Sequence, residues 1–491
     1  MSISKIKNVL CNKEMKFEDC ELAILRNAVD KNEKKQKQKI ASSEEIRDMF
    51  TILEDFIIRK KTILYGGLAL NRLMPKDDQF YNEDIDLPDY DMFSKNALED
   101  AIELANIYYA SGYSEVEARS GMHHGTFKVF VNFIGIADIT QIEKPLYEKL
   151  KQEAITIAGM KYAPPNFLRM SMYLELSRPA GDVSRWEKVL KRLTLLNKYY
   201  PVNTRVECKN IDFQRKLESI VGEEKSERIY FSVRDSFIEQ GVVFFGGYAS
   251  TLYSKYMPED QKHLLKSIPD FDVLSTDPAK CAMIVVEKLL EEGFTDTKTI
   301  EHPAIGELIP KHVQINIGVE TIAFIFEPIA CHSYNVIDMD KREIKIATID
   351  TMLSFYLAFI FIDKFETIRD RILCMSKFLF EVQQENRLNQ RGLLKRFTMD
   401  CYGKQPTLED IRSEKSQKMK ELKQKRGTRE YNMWFLKYSP ASHMRYDSTK
   451  TKKNIHLQNK KYHFFKNKYT KKKRGDKKNN KREPSLKNFY K

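Results

Sequence analysis

Between residues 43 and 60 the apolar positions Ile46, Met49, Phe50, Leu53, Phe56 and Ile57 recur at steps of three and four behind the polar pair Ser42 and Ser43. That period gathers them on one face of an amphipathic helix, and either serine can cap its start. The pattern then changes: Thr62-Ile-Leu-Tyr65 is a short apolar run stopped by Gly66-Gly67, a strand that ends in a glycine turn, with a further helix opening over residues 68–73. Residues 127–139 form a predominantly apolar run with Asp138 near its end, and residues 165–200 and 349–386 are long amphipathic stretches that read as helices. After Gln384 the chain turns polar and lysine-rich, and from about Arg445 it holds too little apolar surface to fold by itself.

The pattern occurs twice. Leu64-Tyr-Gly-Gly-Leu-Ala-Leu-Asn-Arg-Leu-Met-Pro75 and Pro88-Asp-Tyr-Asp-Met-Phe-Ser94 return as Phe244-Phe-Gly-Gly-Tyr-Ala-Ser250, Met257-Pro258 and Pro269-Asp-Phe-Asp-Val-Leu-Ser275. Val131-Asn-Phe-Ile-Gly135 is matched to Val313-Gln-Ile-Asn-Ile-Gly318, and Ser171-Met-Tyr-Leu174 to Ser354-Phe-Tyr-Leu357. A unit of about 140 residues is therefore repeated at an offset of about 180, with short strands first and helices last. The expectation is an α+β fold of two tandem modules. Its boundaries are a helical segment at 1–60, a first module with trailing helices at 61–205, a second at 206–400, and a basic, largely disordered tail at 401–491.

A length of 491 residues suits more than one core. The net charge of +14 points to a polyanionic partner, but it is uneven: residues 450–491 carry 17 Lys or Arg against 2 acids, which leaves the rest near neutrality. The seven cysteines are scattered without a Cys-x-x-Cys pair, so neither a zinc site nor a disulfide framework is indicated, and a reducing compartment is expected. No stretch reaches the roughly 18 apolar residues of a membrane span, and the N-terminus has no apolar signal core, so no membrane is expected as a partner.

Candidate chemistry lies in the first module. Asp89 and Asp91 form an Asp-x-Asp pair whose side chains point to one face of a strand. Asp138 would supply a third carboxylate from a neighbouring strand, where it is costly unless paired or metal-bound. Gly66 and Gly67 give a backbone that a triphosphate can approach, followed by a helix N-terminus that favours anions. Each piece alone has a bland reading, as a turn, a solvated strand end or a loop cap. In this order they fit a site for two hard divalent cations, Mg²⁺ or Mn²⁺, held by oxygen ligands.

These motifs resemble the polymerase-β-like nucleotidyltransferase superfamily. Tyr65-Gly-Gly-Leu-Ala-Leu-Asn71 with Pro88-Asp-Tyr-Asp-Met-Phe-Ser94, joined by Leu174-Glu-Leu-Ser-Arg-Pro179 and Ser184-Arg-Trp-Glu-Lys-Val-Leu-Lys-Arg-Leu193, is similar to the poly(A) polymerase catalytic subunits of large nucleocytoplasmic DNA viruses. The likeness runs over about residues 60–400. It implies a template-independent polynucleotide adenylyltransferase that adds AMP from ATP to an RNA 3′ end, with Asp89, Asp91 and Asp138 catalytic. It further implies a homodimer, as in giant-virus members, and the cytoplasm at the viral factory, with packaging in the virion left open. A transferase of another nucleotide such as UMP, and a non-catalytic RNA-binding scaffold, are the rival readings.

The second module keeps Asp270 and Asp272, but the residue matched to Asp138, counted from Gly318, is Thr321, so this copy is expected to be degenerate. Arg185, Lys188 and Arg192 share a helical face, with Lys188 the candidate triphosphate ligand against a plain solvated basic face. Asn71 is a candidate nucleotide contact or an ordinary surface residue. The tail interleaves lysines with Tyr462, Phe464, Phe465 and Tyr469, which suits sequence-independent RNA binding; an import signal or a solubilising role competes.

Overall fold

The computed structural model of the protein describes residues 11, 15–41, 43–82, 86–211, 223–257, 269–306, 308–362 and 368–442. The architecture is α+β, and the described residues form two compact units. One comprises those of Met1–Gln141, Ala158–Met160 and Leu422–Lys491, the other those of Ile142–Ile157 and Lys161–Glu421.

In the first unit the expected helix is Glu44–Lys60, which buries Ile46, Met49, Ile52, Leu53, Phe56 and Ile57 and stops where Lys61 turns left-handed at φ 58°. The strands are β1 (Ile63–Leu64), β2 (Tyr90–Ser94), β3 (Val116–Ser120), β4 (Thr126–Val131) and β5 (Ile134–Gln141). They lie in the order β3-β4-β5-β2-β1, with β2 and β5 parallel and the other pairs antiparallel. The apolar run 127–139 is thus a hairpin, not one strand: Asn132 and Phe133 at its tip have φ of 49° and 66°. In β4 the side chains alternate, Phe127, Val129 and Val131 buried and Lys128 on the other face. Helices Glu44–Lys60 and Ala97–Ala110 pack against the sheet, and Leu98, Ala101, Leu104 and Ala105 of the latter are buried.

Two short strands, β6 (Ile155–Ile157) and β7 (Met160–Tyr162), follow β1 in the strand order of the first sheet. The second sheet follows. There β8 (Val243–Phe245), β9 (Phe271–Leu274), β10 (Thr297–His302), β11 (His312–Ile317), β12 (Glu320–Phe326), β13 (His332–Met339), β14 (Arg342–Ala347) and β15 (Cys401–Tyr402) take the order β10-β11-β12-β9-β8-β14-β13-β15. The order β10-β11-β12-β9-β8 repeats β3-β4-β5-β2-β1, again with one parallel pair in the middle, β9 with β12. Even the register irregularity recurs, at Val129/Phe130 in β4 and at Ile315/Asn316 in β11.

The compact units do not follow the expected boundaries. Helices Pro165–Leu176 and Trp186–Tyr199, read as the trailing end of the first module, belong to the second unit, where the former packs along Ile349–Phe359. Helices Pro165–Leu176 and Ile349–Phe359 each carry apolar residues, and they bury them on each other. Residues 401–442 are ordered, not tail: β15 extends the second sheet, helix Leu408–Glu421 follows, and helix Arg429–Phe435 leads to β16 (Lys437–Tyr438), which pairs with β3. The basic stretch 450–491 lies outside the described residues, as does Ser42.

Six of the seven cysteines are disulfide-bonded: Cys11–Cys20, Cys208–Cys374 and Cys331–Cys401. This corrects the expectation of no disulfide framework. Two of the pairs are separated by 166 and 70 residues, so only the folded chain brings them together. Cys281 is free and buried, and burial pushes its thiol up to about 12. Among the described residues no helix is long and apolar enough to cross a membrane.

Candidate active site

The parallel pairing of β2 with β5 sets Asp91 directly opposite Asp138. Residues paired in register point to the same face, so two of the three expected acids stand side by side on the middle strands of the first sheet. Strand β2 is fixed from several sides. The Tyr90 hydroxyl donates to Glu54 Oε1 at 2.6 Å, and Ser94 Oγ donates to Asp100 Oδ2 at 2.6 Å. Asp100, 5% exposed, is 2.6 Å from Lys60 Nζ, which also meets Glu103 at 2.9 Å. Burial works against the charge on Lys60, yet these carboxylates hold its ammonium above the usual lysine range. At the far end of β5, Gln141 Oε1 accepts from the Ala97 amide at 2.8 Å and fastens the strand to the start of helix Ala97–Ala110.

The glycine turn comes against the same acid. The Tyr65 amide donates to the Asp91 carbonyl at 3.0 Å, and its ring stacks on Phe93 with centroids 3.8 Å apart. The chain then reverses into helix Gly66–Leu73 with Gly66 at φ +71°, a conformation that disfavours any residue with a Cβ. A Cβ on Gly66 would lie 2.6 Å from Asp91 Oδ2, so any side chain there would push that carboxylate aside. Gly67 is the second residue of that helix and is half-buried.

Other expected residues are placed differently. Asp89 precedes β2 and is exposed, so the register that pairs Asp91 with Asp138 does not extend to it. Among the described residues no three His, Cys, Asp or Glu side chains gather closely enough to hold a metal ion. Asp138 instead meets the ammonium of Lys128, its register partner on β4. Lys128 was missed in the sequence, and alternation along β4 was the signal for it. Asn71 is not the surface residue of the alternative reading: it is 1% exposed, and its Oδ1 accepts from the amides of Phe80 at 2.8 Å and Tyr81 at 3.0 Å. It faces inward from its helix and holds a loop. Lys188 is exposed on helix Trp186–Tyr199, in the second unit. Its basic neighbours are partly neutralised, Arg185 by Glu175 at 3.1 Å and Lys191 by Glu187 at 2.5 Å.

The donor set still suits a hard divalent cation. Asp91 and Asp138 offer only oxygen ligands, side by side, and Gly66, which has no side chain, lies against Asp91. In the second module the parallel pairing sets Asp272 opposite Phe324, which is 8% exposed, and Lys128 is replaced by Gln314. The counterpart of Asp138 is therefore Phe324, not Thr321: the hairpin tip at Gly318 corresponds to Asn132-Phe133, three residues before Gly135. Loss of the third acid stands with a different residue in its place.

Comparison with known proteins agrees with this geometry. Residues 51–182 match the poly(A) polymerase catalytic subunit family. Proteins of African swine fever virus assigned as poly(A) polymerase catalytic subunits are 35% identical over 169 residues, 33% of this chain and 35% of theirs. A protein of Acanthamoeba polyphaga mimivirus with the same assignment is 31% identical over 181 residues, 35% of this chain and 29% of its own. The alignment thus spans about a third of the length of these relatives. The crystal structure of the Megavirus polyadenylate synthase superposes with a TM-score of 0.73 at 18% identity, covering 92% of this chain and 91% of that one. Over residues 51–182 the chain is similar to the poly(A) polymerase catalytic subunits, and over nearly its whole length it has the fold of the Megavirus polyadenylate synthase.

Proposed function

We propose that the chain is a template-independent polynucleotide adenylyltransferase that joins AMP from ATP to the 3′ end of RNA. The observation that carries this reading is the register pair Asp91–Asp138 with Gly66 packed against Asp91, inside the segment that matches the family. Asp91 and Asp138 would hold the divalent ions, Mg²⁺ or Mn²⁺, with Asp89 approaching from the segment before β2. Such ions, when bound, withdraw charge from a triphosphate and lower the pKa of a 3′-hydroxyl.

The remaining work falls to the chain. Gly66 and Gly67 let the triphosphate come close to the backbone, and the helix N-terminus beside them favours its negative charge. Lys128 pairs with Asp138 and aligns its carboxylate until substrate arrives. The 3′-hydroxyl gives up its proton to solvent and its oxygen attacks the α-phosphorus; the bond from that phosphorus to the α–β bridging oxygen breaks, and pyrophosphate leaves with the electron pair. ATP and an RNA 3′ end are the partners of this reading, a homodimer its assembly and the cytoplasmic viral factory its location.

Primer extension tests it. A short RNA should lengthen with ATP and a divalent ion, and Asp91→Ala should not extend it. Equal use of UTP would convert the reading to a uridylyltransferase, and failure of any nucleotide to incorporate or bind would leave a scaffold.

A further inference from the structure

The segment that returns to the first unit carries an aromatic surface that the proposed chemistry leaves unused. Helix Arg429–Phe435 contains Tyr431, Met433, Trp434 and Phe435 within seven residues, each half-buried, with one part of its ring or chain at the surface. Apolar side chains clustered at a surface mark an interaction site more often than chance. The helix is held in place from both ends. Arg429 Nε meets Glu99 at 2.8 Å, the Ser120 amide donates to the Leu436 carbonyl at 3.0 Å, and the Tyr438 hydroxyl donates to Asn106 Oδ1 at 2.7 Å.

On this support the Trp434 ring lies against His124, centroids 4.3 Å apart, and beside Phe435 at 6.4 Å, while Phe435 adjoins Tyr431 at 5.3 Å. His124 is exposed in the turn between β3 and β4, next to Met122, itself 42% exposed. The segment 422–438 is basic in sequence, with Lys423, Lys425, Arg426, Arg429 and Lys437 against the one acid Glu430; Lys425 pairs with Glu430 at 2.8 Å and Arg429 with Glu99. His124 lies four residues from Lys128, which meets Asp138, so the patch is on the order of 10–15 Å from the acids at the strand rise of about 3.3 Å per residue.

We propose that His124, Tyr431, Trp434 and Phe435 form a stacking platform for the bases of single-stranded RNA, with the basic residues of 422–438 holding its phosphates. Flat aromatic faces stack on any base, and lysine and arginine neutralise any backbone, so the platform grips RNA without reading its sequence. A polyanion with exposed π faces is the one occupant that uses both features. The proposal rests on RNA as the acceptor in the function proposed above.

The chain has two tryptophans, Trp186 and Trp434, which makes the platform observable. Trp186→Phe, which can keep the ring contact with Phe397, leaves Trp434 as the sole indole reporter in the full chain. Titration with a fluorophore-labelled 15-nucleotide oligo(A) in EDTA should quench Trp434 as anisotropy reports binding. Trp434→Ala should weaken that binding about tenfold, and Trp434→Phe should stay within about twofold of the parent. Binding without quenching, or with unchanged affinity in Trp434→Ala while Trp434→Phe confirms a folded protein, overturns the platform. So does quenching that depends on protein concentration without RNA, which would make the face a contact between two copies. Oligo(A) quenching in a protein that incorporates no AMP would leave the platform and overturn the transferase; incorporation without quenching would do the reverse.

Discussion

The two modules share strand order, parallel centre and even a register irregularity, yet they treat the same three positions in opposite ways. In the first, Asp91, Asp138 and Lys128 face one another across three strands as carboxylate, carboxylate and ammonium. In the second these positions hold Asp272, Phe324 and Gln314. Phe324 is packed among His312 and Phe326, and Gln314 donates to Asn316 Oδ1 and Thr321 Oγ1, both at 2.8 Å. The acid and its lysine are absent together. An ammonium left opposite an aromatic ring, or a carboxylate left opposite an amide, would face a desolvation cost with less compensation. The comparison teaches that a metal-type carboxylate site can become packing material without disturbing the sheet, provided both charges go.

The largest effect should separate the modules by activity. Asp91→Ala should cut AMP incorporation by about 1,000-fold or more, equivalent to roughly 4 kcal/mol of barrier, whereas Asp272→Ala should change it by less than about twofold. Single-turnover primer extension measures both, and comparable losses would erase the distinction between the copies.

Restoring the acid should fail by stability. Phe324→Asp would bury a carboxylate with no cation beside it and should cost about 3–4 kcal/mol in urea unfolding, partly recovered by adding Gln314→Lys. An unchanged midpoint would show that the second site is wetter than its 8% exposure indicates.

Acid should act on the second unit through His332. It is fully buried among Ile329, Leu308 and Phe355, neither ring nitrogen has a hydrogen-bond partner, and burial, with the nearby Arg178 charge, pushes its pKa down to about 3. A histidine with a depressed folded pKa binds its proton more readily when unfolded. Its contribution is therefore complete above the unfolded value near 6.5 and is lost as pH falls, by about 3 kcal/mol at pH 4. The urea midpoint of the second unit's transition should fall over that range, and His332→Leu should flatten the slope.

The smallest effect concerns Lys128. The pair with Asp138 is partly exposed, 43% and 25% for the two side chains, so Lys128→Gln, which copies the second module, should change stability by less than about 1 kcal/mol. A loss of several kcal/mol would mean that the lysine holds the hairpin β4–β5 together.

Much of this was legible in the chain itself. Helix Glu44–Lys60 follows from apolar spacing, and the repeat from Gly-Gly and Asp-x-Asp at matching intervals, because both signals are local. The match for Asp138 slipped because the offset between copies grows from 181 residues at Asp91 and Asp272 to 186 at Asp138 and Phe324. Glycine was an unreliable marker there: the first hairpin turns on Asn132-Phe133, the second on Gly318. The burial of Asn71 was not legible because helical spacing does not say which loop will fold over a polar residue, and here the amides of Phe80 and Tyr81 needed an acceptor.

The sequence alone determined the two α+β repeats, the glycine turn, the two neighbouring acids of the first copy and the loss of the third acid in the second, since each depends on residues close in the chain or on a period along it. The tertiary structure decided that Lys128 meets Asp138, that distant cysteines pair, that the trailing helices join the second unit, and that residues 429–438 return to the edge of β3. Those depend on strand register and on which surfaces bury one another, and register is settled only when the whole sheet forms.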